Sequence, residues 1–169
     1  GRCGGSRKGL RVLGIDPGLN ITGYGCVELR AGGAAPALVE AGAIRTDGGA
    51  SMARRVAQIH AEVGALLAEL RPQAVAVEKL YAHYKHPRTA ILMAHSRGAV
   101  LLAAEQAGVG VRDVAATNVK KALTGNGHAS KRQVQRAVQA VWDLAEPPEP
   151  PDVADALAIA LCAARHRDR

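Results

Sequence analysis

Apolar residues recur along this chain with two periods. Short runs at residues 10–16, 21–29, 36–46, 73–78 and 109–114 alternate or run continuously, as β-strands do (Val12, Leu13 and Ile15 in the first; Val75, Ala76 and Val77 in the fourth). Pro17-Gly18 between the first two runs is turn chemistry, so residues 10–29 read as two antiparallel strands. After Ser51, a residue suited to capping a helix, Met52, Val56, Ile59, Val63, Leu66, Leu67 and Leu70 recur at steps of three and four. Arg71-Pro72 stops that helix. A long helix is predicted over 87–108, a short one over 118–123, one after Ser130 through 144, and a last one from Asp152 to about Arg165. The order βββ-α-β-α-β-α-α-α predicts an α/β fold, a mixed five-stranded sheet flanked by helices. Ligands in such sheets gather at the carboxyl ends of the parallel strands.

Composition narrows this picture without deciding function. Residues 1–9 are Gly-rich and basic and are expected to be a disordered extension or a cloning remnant, leaving residues 10–169 as a single domain. No Phe is present, so the core must come from Val, Leu, Ile and Ala. The formal net charge of +7 suits a polyanionic partner, nucleic acid above all, although a soluble basic protein would carry it equally well. Cys3, Cys26 and Cys162 are odd in number and lack a C-x-x-C pair, which argues against a zinc ribbon or a disulfide framework. No apolar run approaches the roughly 20 residues that span a bilayer, and no secretory signal is visible. A cytoplasmic protein with no membrane association is expected.

The candidate chemistry lies in four acids. Asp16 and Glu78 each close an apolar run, and if the first and fourth strands are parallel neighbours their carboxylates sit side by side. Asp152 and Asp155 share a face at a helix start, where the helix dipole favours the ionised form. Taken singly each has a plainer explanation: an Asx-turn at Asp16, a strand-end acid at Glu78, helix caps at Asp152 and Asp155. Taken together they would repel one another unless a divalent cation bound them. Hard oxygen donors suit Mg2+ or Mn2+ rather than zinc. Two such ions would activate a water and stabilise the leaving oxygen of a phosphodiester. Lys120 and Lys131 are read near helix starts around the Gly-rich turn Gly125-Asn126-Gly127, where phosphate binds well. His128 lies in the same turn. Residues 79–86 form a basic aromatic loop in which Lys79, Tyr81, Tyr84 and Lys85 suit a nucleic-acid contact, while His83 and His86 are read as neutral loop residues. His60, His95 and His166 are read as structural or solvent-facing.

Gly14-Ile15-Asp16-Pro17-Gly18, Thr22-Gly23-Tyr24-Gly25, Val77-Glu78 and the helix Asp152-Val153-Ala154-Asp155-Ala156-Leu157-Ala158-Ile159-Ala160 together resemble the RuvC-type Holliday junction resolvases. The resemblance runs from about Leu10 to Arg165. It implies a ribonuclease H-like fold, a homodimer, and Mg2+-dependent cleavage of four-way DNA junctions by paired symmetric nicks that leave 5′-phosphate and 3′-hydroxyl ends. It assigns the catalytic and metal-holding acids to Asp16, Glu78, Asp152 and Asp155, with two ions per subunit for which Mn2+ can substitute. It assigns functional lysines to Lys120 and Lys131 and a stacking aromatic to Tyr81, where the family often has Phe. It also implies a partnership with the RuvAB branch-migration machinery. The small-residue stripe Ala90, Ala94 and Gly98 on the long helix is a candidate dimer contact, with packing inside the domain as the alternative.

Three other functions use related features. A YqgF-like RNA-processing nuclease shares the first strand but is not expected to carry the helical region with Lys120 and Lys131. A non-catalytic junction-binding protein would lack at least one of the four acids. A sugar-kinase-like ATPase would need a second phosphate-binding turn and a far longer chain.

Overall fold

A computed structural model describes residues 9–32, 35–80 and 86–166. Five strands, β1 (Leu10–Asp16), β2 (Ile21–Leu29), β3 (Ala37–Arg45), β4 (Ala74–Glu78) and β5 (Gly110–Val114), form one sheet in the order β3-β2-β1-β4-β5. β1 pairs antiparallel with β2, and β2 with β3; β1 pairs parallel with β4, and β4 with β5. The element order and the mixed sheet agree with the pattern of apolar residues. Ile15 lies opposite Val77, so the next residues along, Asp16 and Glu78, stand together at the carboxyl rim.

Alternation along the strands supplies both faces with a core. Leu13, Ile15, Val75 and Val77 point to one side, against α1 (Met52–Leu70) and α2 (Pro87–Gln106). Val12, Val27 and Ala76 point to the other, where α5 (Pro151–Arg165) lies, backed by Val119 of α3 (Ala116–Thr124) and by Val134 and Val138 of α4 (Lys131–Val141). Ser51 caps α1, its hydroxyl accepting from the Arg54 N–H at 3.2 Å. Ser130 and Gln133 form a capping box at the head of α4: the Ser130 N–H donates to Gln133 Oε1 at 2.7 Å, and the Gln133 N–H to Ser130 Oγ at 3.2 Å. Two orphan donors are thereby satisfied in the turn that carries Lys131.

α5 is buried on nearly its whole circumference and is built largely from alanine. Glycines in the sheet let it lie directly on the strands. A methyl group on Gly14 would sit 2.2 Å from the Ala156 carbonyl oxygen, and one on Gly25 would sit 2.4 Å from Leu157 Cδ2.

The differences from expectation are at helix ends. α2 stops at Gln106, and Gly108 follows with φ +69°, a left-handed turn that costs glycine least. α4 ends at Val141 rather than 144, where Trp142 leaves helical geometry and donates through Nε1 to the Pro36 carbonyl at 2.8 Å. α3 begins at Ala116, two residues before the predicted start, because extended Ala115 takes the capping position. Cys26 and Cys162 are buried free thiols. Among the described residues no helix is long and apolar enough to cross a membrane.

Candidate active site

The carboxyl rim of β1 and β4 opens into a cavity of about 230 Å³ lined by Asp16, Glu78, Lys120, Lys131 and Asp155, over an apolar floor that includes Val119, Val134 and Ile159. Each side chain has a different anchor. Asp16 and Glu78 are held by the parallel β1–β4 register. Asp155 is held by α5, Lys131 opens α4 just after its capping box, and Lys120 projects from α3. The sequence-derived position of Lys120 needs correcting: because α3 starts early, the residue lies in the second helical turn rather than near the N-terminus. It still reaches the cavity.

Asp152 does not line this cavity. It lines a second concavity, on the α1–α2 side of the rim. Its charge nevertheless acts on Asp16, so the start of α5 presents Asp152 to one hollow and, three residues on, Asp155 to the other.

The electrostatics are those of a crowded, poorly solvated acid cluster. Burial pushes the Asp16 carboxyl up to about 8, reinforced by Asp155, Asp152 and Glu78 and opposed by Lys131. Burial also raises Glu78, with Asp155 adding to it and Lys120 and Lys131 opposing. Asp155 is raised by burial as well, although Lys131 Nζ lies 3.3 Å from its Oδ2. Loss of solvent thus works against the ionised form that the helix start favours. Asp155 holds Lys131 in its charged form, raising the ammonium above its usual range.

The donor set is all oxygen and fits a hard divalent cation. Among the described residues, no three His, Cys, Asp or Glu side chains are yet gathered closely enough to hold one ion. Lys131 supplies part of the missing positive charge, through Asp155. Asp16, Glu78, Asp152 and Asp155 would hold such a cation, and Lys131, with a side chain 64% exposed, stands beside Asp155 at the mouth of the cluster.

Other sequence-derived candidates are placed differently. Lys79 is exposed and lines a separate concavity with Arg112, Asn118 and His166 at the β5 edge, not the cavity that Asp16, Glu78 and Asp155 line. Tyr81, Tyr84, Lys85 and His83 lie outside the described residues. His86 and His128 are exposed. His60 Nε2 meets Gln106 Oε1 at 2.7 Å, and His166 Nδ1 meets the Cys162 carbonyl at 2.9 Å, as suits structural histidines.

Sequence reasoning missed a hydroxyl clamp behind Asp16. The Gly18 carbonyl accepts from Thr22 Oγ1 at 2.7 Å and from Ser96 Oγ at 3.1 Å, and both side chains are fully buried. The clamp fixes the turn two residues after Asp16. Thr22 lies in a recognisable motif, but nothing in the sequence linked it to Ser96, 74 positions away.

Residues 12–163 match the family model described as crossover junction endodeoxyribonuclease RuvC. The chain belongs to the RuvC family. A relative in Rhodopirellula baltica is 46% identical over 151 residues, covering 89% of this chain and 84% of the relative. One in Moorella thermoacetica is 46% identical over 153 residues, covering 90% of each. Both are crossover junction endodeoxyribonucleases RuvC. Among solved structures, Thermus thermophilus RuvC in complex with a Holliday junction substrate superposes with a TM-score of 0.85 at 40% identity, covering 92% of this chain and 93% of that one. The yeast mitochondrial Holliday junction resolvase, 14% identical with a TM-score of 0.65, shares the ribonuclease H-like fold alone.

Proposed function

We propose that this chain is a structure-selective endonuclease that resolves four-way DNA junctions in recombination and repair by metal-dependent phosphodiester hydrolysis. The observation that carries the reading is the meeting of Asp16, Glu78 and Asp155 with Lys120 and Lys131 in one cavity, in a chain of the RuvC family. Asp16, Glu78, Asp152 and Asp155 are the residues that would hold the cations, two Mg2+ ions for which Mn2+ can stand in. When bound, such ions activate the attacking water and neutralise charge at the leaving oxygen.

The chain's own residues prepare and complete that site. Burial raises the Asp16 carboxyl to about 8, so a bound cation, which these acids would hold, would have to favour its ionised form. Lys131, held charged by Asp155, is placed to stabilise the negative charge that builds on the phosphate in the transition state. Lys120 draws the DNA backbone into the cavity by charge. Such phosphate contacts position a duplex without reading its sequence, so selectivity rests mainly on junction shape. Tyr81 is proposed, from the family pattern alone, to stack on a base at the strand-exchange point, and Lys85 of the same segment is proposed as a further DNA contact.

A homodimer would set two such sites on a two-fold junction and make the nicks symmetric. The outer side of α2 supports this reading. Ala94 and Gly98 are exposed, Ala90 is half-buried, and beside them Ile91 and Leu102 are 59% and 51% exposed, so among the described residues most of the stripe is left uncovered. Residues 10–169 are proposed to act as one nuclease domain, with RuvAB as the partner that loads or drives it.

The deciding experiment offers a labelled four-way junction, a matched duplex and a Y-fork in Mg2+, Mn2+ or EDTA. Paired symmetric nicks in the junction alone, and only with metal, are expected. Binding without nicking in either metal, or equal cleavage of the duplex, would overturn the reading.

A further inference from the structure

The four acids face two hollows, Asp16, Glu78 and Asp155 lining one and Asp152 the other. On the α3–α5 side is the cavity with the two lysines. On the α1–α2 side is a larger one, about 560 Å³, within the range of small-molecule sites. Asp152 forms part of its wall, so it is continuous with the catalytic cluster. Its floor is apolar, made by Leu19, Ile21, Leu92 and Met93, and its rim carries Arg55 and Arg88.

Neither arginine forms a salt bridge among the described residues. Arg55 is held in place by neutral acceptors: Nε donates to Thr46 Oγ1 at 3.0 Å, and a terminal nitrogen donates to Asn20 Oδ1. Arg88 is exposed on the first turn of α2. The hollow therefore combines a positive rim, a greasy floor and an acid wall shared with the cleavage site. A polynucleotide strand has the matching features in the matching order: a phosphate, a flat apolar-faced base, then the next phosphate.

We propose that this hollow is the second half of the strand path, taking one unstacked nucleotide of the cleaved strand next to the scissile phosphate. Its base rests on Leu19, Ile21, Leu92 and Met93, and its outer phosphate meets Arg88, with Arg55 supporting from below. The strand then passes the acids, with the lysine cavity on one side and the arginine-rimmed hollow on the other. Because the floor holds a base, this hollow contributes to any preference for the nucleotide beside the cut. The inference rests on the resolvase reading above.

The test uses the full chain and synthetic junctions in which each nucleotide flanking the scissile phosphate is replaced, one at a time, by an abasic residue. The unmodified junction with the parent protein tests the underlying reading: if it is not cut, that reading fails, and this one with it. If it is cut, one abasic position should lower the cleavage rate about 10-fold, the scale of losing one base's contacts. Met93→Ala should lower cleavage of the intact junction, and the abasic penalty should largely vanish in that variant. Arg88→Gln, a change at an exposed position, should weaken junction binding and make its dependence on log salt shallower by about one phosphate contact. Abasic penalties that are absent, or that multiply unchanged with Met93→Ala, overturn the proposal. So does an Arg88→Gln protein that binds with the parent's salt dependence.

Discussion

A methyl group on Gly23 would sit 2.1 Å from the carbonyl oxygen of Asp152. β2 and the first turn of α5 are thus in backbone contact at the residue that carries one of the four acids. The obstacle is main chain, so neither side can yield by rotating a side chain. Gly23→Ala should push the start of α5 off the strand, cost about 1–3 kcal/mol in stability, and lower cleavage about 100-fold through misplaced acids. Junction binding should fall far less. Thermal unfolding, a binding titration and a cleavage assay on one preparation check this; parent-like cleavage would mean that α5 is not held by this contact.

Asp16 couples the site to stability through pH. Its carboxyl is pushed up to about 8 in the fold, chiefly by burial, and returns to its ordinary value of 3.8 in the unfolded chain. The metal-free fold thus retains a proton that the unfolded chain gives up. Stability from this group is unimpaired below about pH 4, erodes as pH rises, and is fully lost above about 8. Asp16→Asn removes the penalty along with a metal ligand. In EDTA the variant should match the parent near pH 4 and exceed it by on the order of 2–5 kcal/mol near pH 9. It should also bind junctions without cutting them. Parallel stability-against-pH curves for the two proteins would show that Asp16 is not the group responsible.

Why the acids could be found in the sequence and the clamp could not follows from what each depends on. Asp16 and Glu78 end strands whose apolar runs are short and unambiguous, and the parallel pairing follows from the intervening α1. Asp152 and Asp155 open a helix whose alanine-rich pattern is local. Lys120 came out two residues deeper in its helix than expected because Asn118 looks like a helix start, while the helix begins at Ala116 after Ala115, which has no side-chain oxygen. The Thr22–Ser96 pair, the Gly23–Asp152 contact and the arginine-rimmed hollow all depend on distances between elements far apart in the chain. No periodicity encodes these. The raised Asp16 carboxyl is similar: the sequence names the neighbours, but only packing supplies the burial that dominates.

Lys131 and Lys120 share a cavity but should separate on mutation. Lys131 Nζ lies 3.3 Å from Asp155 Oδ2, and its charge is felt at Asp16 and Glu78. Lys131→Gln should lower the cleavage rate at saturating junction by about 100-fold or more, the scale of losing one electrostatic group in a transition state. Lys120 acts on Glu78 but forms no salt bridge among the described residues. Lys120→Gln should weaken binding more than the rate and flatten the salt dependence by about one contact. Single-turnover cleavage and salt-titrated binding distinguish the two; matching profiles would assign both lysines the same role.

The clamp on Gly18 should transmit changes in α2 to Asp16. Thr22 Oγ1 and Ser96 Oγ both donate to the Gly18 carbonyl, and the two hydroxyls lie 3.4 Å apart in a fully buried pocket. Thr22→Val keeps the shape and deletes a donor. It strips the carbonyl of its shorter bond and leaves the Gly18 N–H without its 3.3 Å acceptor. A loss of about 1–3 kcal/mol is expected for leaving such groups unsatisfied. Ser96→Ala removes one donor while Thr22 remains, so it should cost less. Because both act on the turn that carries Asp16, the double variant should lose cleavage beyond the product of the single effects, with junction binding kept. A double-mutant cycle on the cleavage rate decides it: additive effects would mean that the two hydroxyls serve stability separately and do not hold Asp16 as a unit.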